Sequence, residues 1–123
     1  PLSLAQQRLW LLSRIDDAGA AYHMPCAYRL RGALDADALA RALRALVARH
    51  EALRTRFDVV DGEARQRIAD ADAFEMLFRD LRGEADIERS RLALAEACFR
   101  EPFDLARDLP IRAQLLRLGD ASY

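Results

Sequence analysis

The spacing of apolar residues switches between a helical and a strand-like period along this chain. From residue 36 to residue 49, apolar side chains recur at helical intervals, as expected for a helix with one buried face. From residue 55 to residue 68, two alternating runs flank Asp61-Gly62, which favours a hairpin turn because Gly readily adopts a positive φ. A small chain with both patterns is predicted to fold as helices packed against a sheet.

The full pattern predicts the element order α-β-α-β-β-β-α-β, an α+β fold arranged as a two-layer αβ sandwich. Helices are predicted at Ser3–Ile15, from Asp35 to about His50 and at 85–101, and strands at Met24–Arg31, Thr55–Val60, Glu63–Ile68, Phe74–Leu81 and Ile111–Leu118. Phe74–Leu81 fits either a strand or a helical turn, and strand is preferred. Leucines on both faces of the last strand predict a central position in a sheet.

The first helix begins with a recognisable cap. Ser3 followed by Gln6 fits a capping box, in which each side chain satisfies a backbone N–H at the helix start. Its apolar stripe is wide enough to predict that the helix is buried on more than one side. Residues 16–19 are expected to end the helix. The stripe consists of Leu4, Leu11, Leu12 and Ile15, widened by Ala5, Leu9 and Trp10.

Composition restricts the class of protein. The chain has 123 residues and 52% hydrophobic content, which predicts one small globular domain rather than a disordered segment. Its 19 basic and 20 acidic residues nearly cancel, so no nucleic-acid partner is expected. No apolar run approaches the roughly 18 residues of a membrane span, and the N-terminus lacks the order of a signal peptide. A cytoplasmic location without membrane contact is therefore expected.

Catalytic and metal signatures are incomplete. Neither His23 nor His50 stands at ligand spacing from a cysteine, so no metal site is predicted. Cys26 and Cys98 are expected to be buried or half-buried thiols rather than a disulfide. The chain has no glycine-rich phosphate loop, no serine in a nucleophile elbow and no Lys that could form a Schiff base.

The densest polar cluster lies where the second helix gives way to a strand. Arg49 and His50 complement the negative end of the helix dipole, and Glu51 can pair with a nearby Arg. Arg54 then enters the strand beside Phe57, and a buried Arg requires an acidic partner. A structural role and a site-lining role both remain open for this cluster.

Two segments resemble core motifs of the condensation domains of nonribosomal peptide synthetases. Residues 3–12, SLAQQRLWLL, match the first family motif, S-x-A-Q-x-R-L-W-x-L, through Ser3, Gln6, Arg8 and Trp10. Residues 49–57 match the second motif, R-H-E-x-L-R-T-x-F, through Arg49, His50, Glu51, Arg54 and Phe57. Linking segments also resemble the family: Tyr22–Pro25, Leu30–Asp35, Pro102–Leu105 and Pro110–Ala113. The resemblance covers essentially the whole chain, and residues 1–123 are identified as the N-terminal portion of such a domain.

The resemblance implies a chloramphenicol-acetyltransferase-like fold of two αβ lobes, of which this chain resembles the opening part of the donor-side lobe. Donor and acceptor carrier proteins deliver aminoacyl or peptidyl thioesters on phosphopantetheine arms, and the acceptor amine attacks the donor thioester to form an amide. Adjacent synthetase domains are further expected partners, and antibiotic or other secondary metabolism in bacteria is the expected setting.

The third family motif, H-H-x-x-x-D-G, is absent from residues 1–123. The resemblance therefore assigns no catalytic residue to this chain, which is expected to be inactive alone and to bind no cofactor directly. It also implies that the Asp of the third motif is the partner of Arg54. The alternative is a non-catalytic relative that serves as a platform for a carrier protein or another partner.

Overall fold

A computed structural model describes residues 1–15 and 22–123. The elements are helix α1 (Leu4–Ser13), helix α2 (Ala36–Arg49), strands β1 (Thr55–Val60), β2 (Glu63–Ile68) and β3 (Met76–Asp80), helix α3 (Ile87–Arg100) and strand β4 (Ala113–Arg117). Short 3-10 helices at Glu51–Arg54 and Ala71–Ala73 precede β1 and β3. The observed order has one strand fewer than the sequence predicts.

The helix starts predicted at Ser3 and Asp35 are confirmed. The backbone N–H of Gln6 donates to Ser3 Oγ at 3.3 Å, and the N–H of Ser3 donates to Gln6 Oε1 at 2.8 Å. Asp35 Oδ1 accepts from the N–H of Ala38 at 2.8 Å at the start of α2. Short polar side chains are favoured at the N-cap position because the first N–H groups of a helix have no partner within the helix.

The predicted hairpin is also confirmed. β1 and β2 pair antiparallel from Thr55↔Ile68 to Val60↔Glu63. The connecting Asp61 and Gly62 have φ values of 53° and 79°, the left-handed region that a type I′ turn requires at both positions.

The remaining strands form a parallel pair. β3 and β4 run from Met76↔Ala113 to Asp80↔Arg117, and α3 makes the crossover that parallel strands require. The strand preferred for Phe74–Leu81 is confirmed at Met76–Asp80. The central position expected for the last strand is wrong for the described chain, because β4 pairs along its length with β3 alone.

The strand predicted at Met24–Arg31 is not formed. Arg31 makes an isolated bridge to Ser122, and Leu30 and Tyr123 exchange backbone hydrogen bonds of 2.9 Å. A strand needs a neighbour along its whole length, and in the described ranges only residues 121–123 make backbone hydrogen bonds with this part of the chain. Cys26, Tyr28 and Leu30, which alternate along this segment, are therefore exposed.

The core lies where α2 crosses the Ala71–Ala73 turn and β3. Its buried members are Val47, Ala69, Phe74 and Leu109, with Leu43, Leu53, Met76, Ile111 and Ala113 packed around them. Among the apolar residues that recur at helical intervals in α2, Val47 is buried and Leu39 and Leu43 are half-buried, whereas Ala42 and Leu46 are exposed.

Helix α1 is less buried than its stripe predicts, and α3 contains no fully buried residue among the described ones. α1 contains no buried residue in the described chain, and Leu4 is 85% exposed, so burial on more than one side is wrong here. In α3, Ile87, Leu94, Ala95 and Cys98 are half-buried and Phe99 is exposed. The total accessible surface is 8955 Å², whereas a compact monomer of this size exposes about 6,700 Å². Large parts of these apolar stripes thus lack a covering element.

Both cysteines are free thiols, but only Cys98 is half-buried, and the expected burial of Cys26 is wrong because its segment lacks a neighbouring strand. The predicted end of the first helix at 16–19 lies outside the described residues; α1 itself ends at Ser13, with Arg14 as its C-cap.

Candidate functional site

The second motif forms the junction between α2 and the hairpin. The N–H of His50 donates to the Leu46 carbonyl oxygen at 3.1 Å and caps α2. Glu51–Arg54 then make one 3-10 turn that redirects the chain into β1. Arg49, His50 and Glu51 are exposed on this turn.

The side chain of Arg54 is largely buried, with 18% of it exposed. Its Nη1 donates to the Ala69 carbonyl oxygen at 2.8 Å, and its Nη2 donates to Glu51 Oε1 at 3.4 Å. Its Nε is buried and has no hydrogen-bond partner in the described chain. The single long contact to an exposed carboxylate leaves this guanidinium incompletely satisfied.

Thr55 closes the same turn. Its side chain is buried, and its Oγ1 donates to the Glu51 carbonyl oxygen at 2.8 Å. Thr55 is not among the residues singled out by sequence, although it belongs to the motif R-H-E-x-L-R-T-x-F. A Thr that follows a helix end and precedes an alternating run is the signal that could have identified it.

The first motif contacts the same hairpin through strand β2. Gln66 on β2 donates through Nε2 to Gln6 Oε1 at 2.8 Å and to the Pro1 carbonyl oxygen at 3.0 Å. The cap of α1 is thus tied to β2, while Arg54 is tied to Ala69, immediately after β2. The two motifs are therefore tied to β2 and to the residue that follows it. Arg8 lies exposed on α1.

Trp10 and Phe57, one from each motif, line a common groove of about 300 Å³. Loop 103–106 forms its third wall, and the N–H of Phe57 donates to the Leu105 carbonyl oxygen at 2.8 Å. Arg14 lies over the Trp10 ring, 5.4 Å from its centroid. This groove brings the two motifs and the Pro102–Leu105 segment together.

Arg112 organises the chain between α3 and β4, a role that the sequence did not reveal. Its Nη1 donates to the Glu101 carbonyl oxygen at 2.6 Å, and its Nη2 to the Pro102 carbonyl oxygen at 2.8 Å. Its guanidinium also lies 4.0 Å from the centroid of the Phe103 ring, and His23 meets that ring edge-on. The sequence feature that could have indicated this role is the Arg of P-I-R-A, because its planar guanidinium can donate hydrogen bonds to two carbonyl oxygens.

The carboxylates with shifted pKa values lie outside the motifs. Hydrogen bonds from Arg82 lower the pKa of Asp80 to about 2. Arg67 lowers the pKa of Asp58, and Arg91 lowers that of Glu88. All three are solvent-accessible ion pairs, a setting typical of surface structure.

The side chains of this site can hold neighbouring segments in place, but the described residues do not form a hydrogen-bonded catalytic pair. The Nδ1 of His23 donates to the Phe99 carbonyl oxygen at 3.1 Å, and in residues 1–15 and 22–123 no hydrogen bond joins a histidine to a serine, cysteine or carboxylate. The described part of the chain holds no group of three or more His, Cys, Asp or Glu residues suited to a metal ion. None of its described helices has the length and apolarity needed to cross a bilayer.

Comparison with known proteins gives a consistent result. A family model described as "Condensation domain" matches residues 1–123. The chain is 44% identical over 120 residues to malpibaldin synthetase of Mortierella alpina and covers 2% of it. It is 37% identical over 123 residues to bacitracin synthase 2 of Bacillus licheniformis and covers 4% of it. Isonitrile lipopeptide synthase of Mycobacterium tuberculosis is 41% identical over 121 residues and is covered to 5%. These matches use 97–100% of this chain.

Solved structures agree on the fold. The starter condensation domain of rhizomide synthetase RzmA matches 99% of this chain with a TM-score of 0.76 and 26% identity. The X-domain from teicoplanin biosynthesis matches 99% with a TM-score of 0.81 and 35% identity. The chain covers 30% and 25% of these structures. The fold expected from the resemblance is confirmed, and the chain belongs to the condensation domain family of nonribosomal peptide synthetases.

Proposed function

We propose that this chain forms the scaffold of the donor-side lobe in a condensation domain that joins two carrier-bound substrates. The amine of the acceptor attacks the carbonyl carbon of the donor thioester. A C–N bond forms and the C–S bond breaks, and the proton released by the amine ends on the phosphopantetheine sulfur. The partners are donor and acceptor carrier proteins and the neighbouring synthetase domains, in the cytoplasm.

The buried and incompletely satisfied guanidinium of Arg54 carries this proposal. Its Nε has no partner in the described chain, and its one carboxylate contact, to Glu51, is 3.4 Å long. Such a group favours a second carboxylate, and a bidentate pair would hold both partners in one orientation. The Asp of H-H-x-x-x-D-G is the partner that the family resemblance supplies. Arg54 is therefore a positioning residue for the loop that bears the active histidine.

The isolated chain is inactive under this proposal. Amide formation needs a group that positions or deprotonates the attacking amine, and residues 1–123 contain no H-H-x-x-x-D-G. The alternative, a non-catalytic platform for a carrier protein, shares the fold and both motifs. The presence of H-H-x-x-x-D-G in the complete domain separates the two.

The test compares the isolated chain with a complete condensation domain that includes it. Each is incubated with a donor-loaded and an acceptor-loaded carrier protein, and the amide on the acceptor is measured by mass spectrometry. We expect amide from the complete domain and only background from the chain. Binding of both carriers by a complete domain that forms no amide would support the platform instead.

A further inference from the structure

A cleft of about 460 Å³ lies between the C-terminal half of α3 and the β3–β4 pair. Leu77, Leu94 and Leu109 contribute to its apolar walls. Charged residues also line it: Arg56, Arg79, Arg107 and Arg112, with Glu75, Glu101 and Asp108. The cleft is thus apolar in part and contains four cations against three carboxylates.

These charges are unequally paired. Arg112 pairs with Asp108 at 3.1 Å and with Glu101 at 3.6 Å, and Arg107 turns to Asp104 at 3.8 Å. Arg56 and Arg79 have no ion pair within the described ranges. Two of the four cations of this cleft therefore make no direct salt bridge in the described chain, although the Asp58 carboxylate, which is bonded to Arg67, lies near enough to Arg56 for an electrostatic attraction.

Of these two arginines, Arg56 gives the stronger evidence for a missing partner. Its Nε is buried and has no hydrogen-bond partner among the described residues. It also stands directly opposite Arg67 in the hairpin register, and the Asp58 carboxylate beside these two arginines is bonded to Arg67. A guanidinium in this setting gains from a carboxylate that approaches through the cleft.

We propose that the cleft is the docking site of a carboxylate-bearing amphipathic segment from the remainder of the condensation domain. The carboxylate pairs with Arg56 and Arg79, and the apolar side of the segment covers Leu77 and Leu94. This inference rests on the assignment to the condensation domain family. Two further observations support it: the solved relatives are several times longer than this chain, and α3 has no buried residue in the described structure.

Glu75 provides the competing explanation, because it lines the same cleft and has no ion pair within the described ranges. An Arg56–Glu75 pair would satisfy the cation and leave the cleft open to water. The two explanations differ in whether the cleft is covered.

Cys98 reports on that difference, since its half-buried thiol lines the cleft. The experiment uses a complete condensation domain in which Cys98 is the only cysteine, and it measures the rate of maleimide modification. We expect Arg56→Gln to raise this rate by about tenfold or more, as when a covering segment detaches locally. Arg65→Gln is the matched control, because Arg65 lies on the same hairpin, pairs with Glu63 and does not line the cleft.

A photo-crosslinking residue at position 94 identifies the occupant. The expected product joins position 94 to an acidic segment outside residues 1–123 of the same molecule. Crosslinks confined to residues 1–123, or made to a second copy, would overturn the proposal. Equal labelling of Cys98 in the unaltered and Arg56→Gln domains would also overturn it. Arg79→Gln replaces Arg56→Gln if the latter does not fold.

Amide formation is measured on the same variants. Absence of amide formation by the unaltered domain, with Cys98 still protected, counts against the role proposed for the lobe. Rapid labelling of Cys98 in an active, unaltered domain counts against the docked segment alone.

Discussion

Arg54 and Ala69 hold each other through two reciprocal hydrogen bonds across the base of the hairpin. The Nη1 of Arg54 donates to the Ala69 carbonyl oxygen at 2.8 Å, and the N–H of Ala69 donates to the Arg54 carbonyl oxygen at 2.8 Å. Arg54 immediately precedes β1 and Ala69 immediately follows β2. One residue of the second motif therefore closes the hairpin and also presents a buried Nε with no partner in the described chain.

We predict that Arg54→Lys destabilises a complete condensation domain by about 1.5–3 kcal/mol, the range for a hydrogen bond to a charged group. Lys keeps the charge but lacks the planar fork, so amide formation is expected to fall as well. Arg65→Lys, at an exposed pair with Glu63, is the control and should change stability by less than about 0.5 kcal/mol. Thermal melting and single-turnover amide formation provide the measurements. An Arg54→Ala enzyme with unchanged melting and turnover contradicts the bracing role.

The capping box of α1 predicts a smaller effect. Ser3→Ala removes the acceptor for the Gln6 N–H and should cost about 1 kcal/mol. Ser3→Thr retains a hydroxyl and should restore most of the loss. Urea denaturation measures both variants, and equal stability of the Ala and Thr variants would show that the cap contributes nothing.

Trp10→Ala tests how deeply α1 is buried in the complete domain. Full burial of a Trp predicts a loss of about 3–5 kcal/mol, and the half-buried Trp10 of this structure predicts roughly half of that. Leu11→Ala, one position along and 59% exposed, is the control. A loss near the upper value would show that the groove between Trp10 and Phe57 is filled by another part of the domain.

Arg112 is expected to hold residues 101–112 in place. Arg112→Gln removes donors to the carbonyl oxygens of Glu101 and Pro102 and should destabilise by about 1.5–3 kcal/mol. Limited proteolysis should then cut between 101 and 110 first. Arg107→Gln is the control in the same loop, since that side chain is 87% exposed and its pair with Asp104 is long. Similar cleavage of both variants would argue against the clamp.

The ion pair of Asp80 and Arg82 predicts a pH dependence. Arg82 lowers the pKa of Asp80 to about 2 in the folded state, whereas an unperturbed Asp titrates near about 3.9. A lowered folded-state pKa contributes stability above the unfolded value, and that contribution is lost as the pH falls from about 4 to about 2. Arg82→Gln should raise the pKa of Asp80 towards its ordinary value. A carboxyl NMR titration of both proteins measures this, and an unchanged Asp80 pKa in the variant would contradict the assignment.

Local features of the fold could be predicted because their causes lie within a few residues. The caps at Ser3 and Asp35 and the turn at Asp61-Gly62 depend on short side chains and on the φ preference of Gly, all of which act on adjacent backbone. The family assignment depended on two motifs that are contiguous in the sequence. These predictions are confirmed.

Contacts between distant segments could not be predicted in the same way. An apolar stripe indicates that a face is buried, but it carries no record of the surface that covers it. Nothing in the sequence therefore indicated that Trp10 and Phe57 line one groove, or that Gln66 bonds to Gln6.

The sequence by itself determined the local elements, the hairpin register and the family. The tertiary structure decided which of the predicted elements lie beside a second element with which they can pair. Met24–Arg31 has the alternation of a strand, yet only Leu30 and Arg31 of this segment are paired, because among the described residues only 121–123 pair with its backbone. A backbone hydrogen bond needs both a donor and an acceptor in place, so a strand pattern becomes a strand only where a second strand lies beside it.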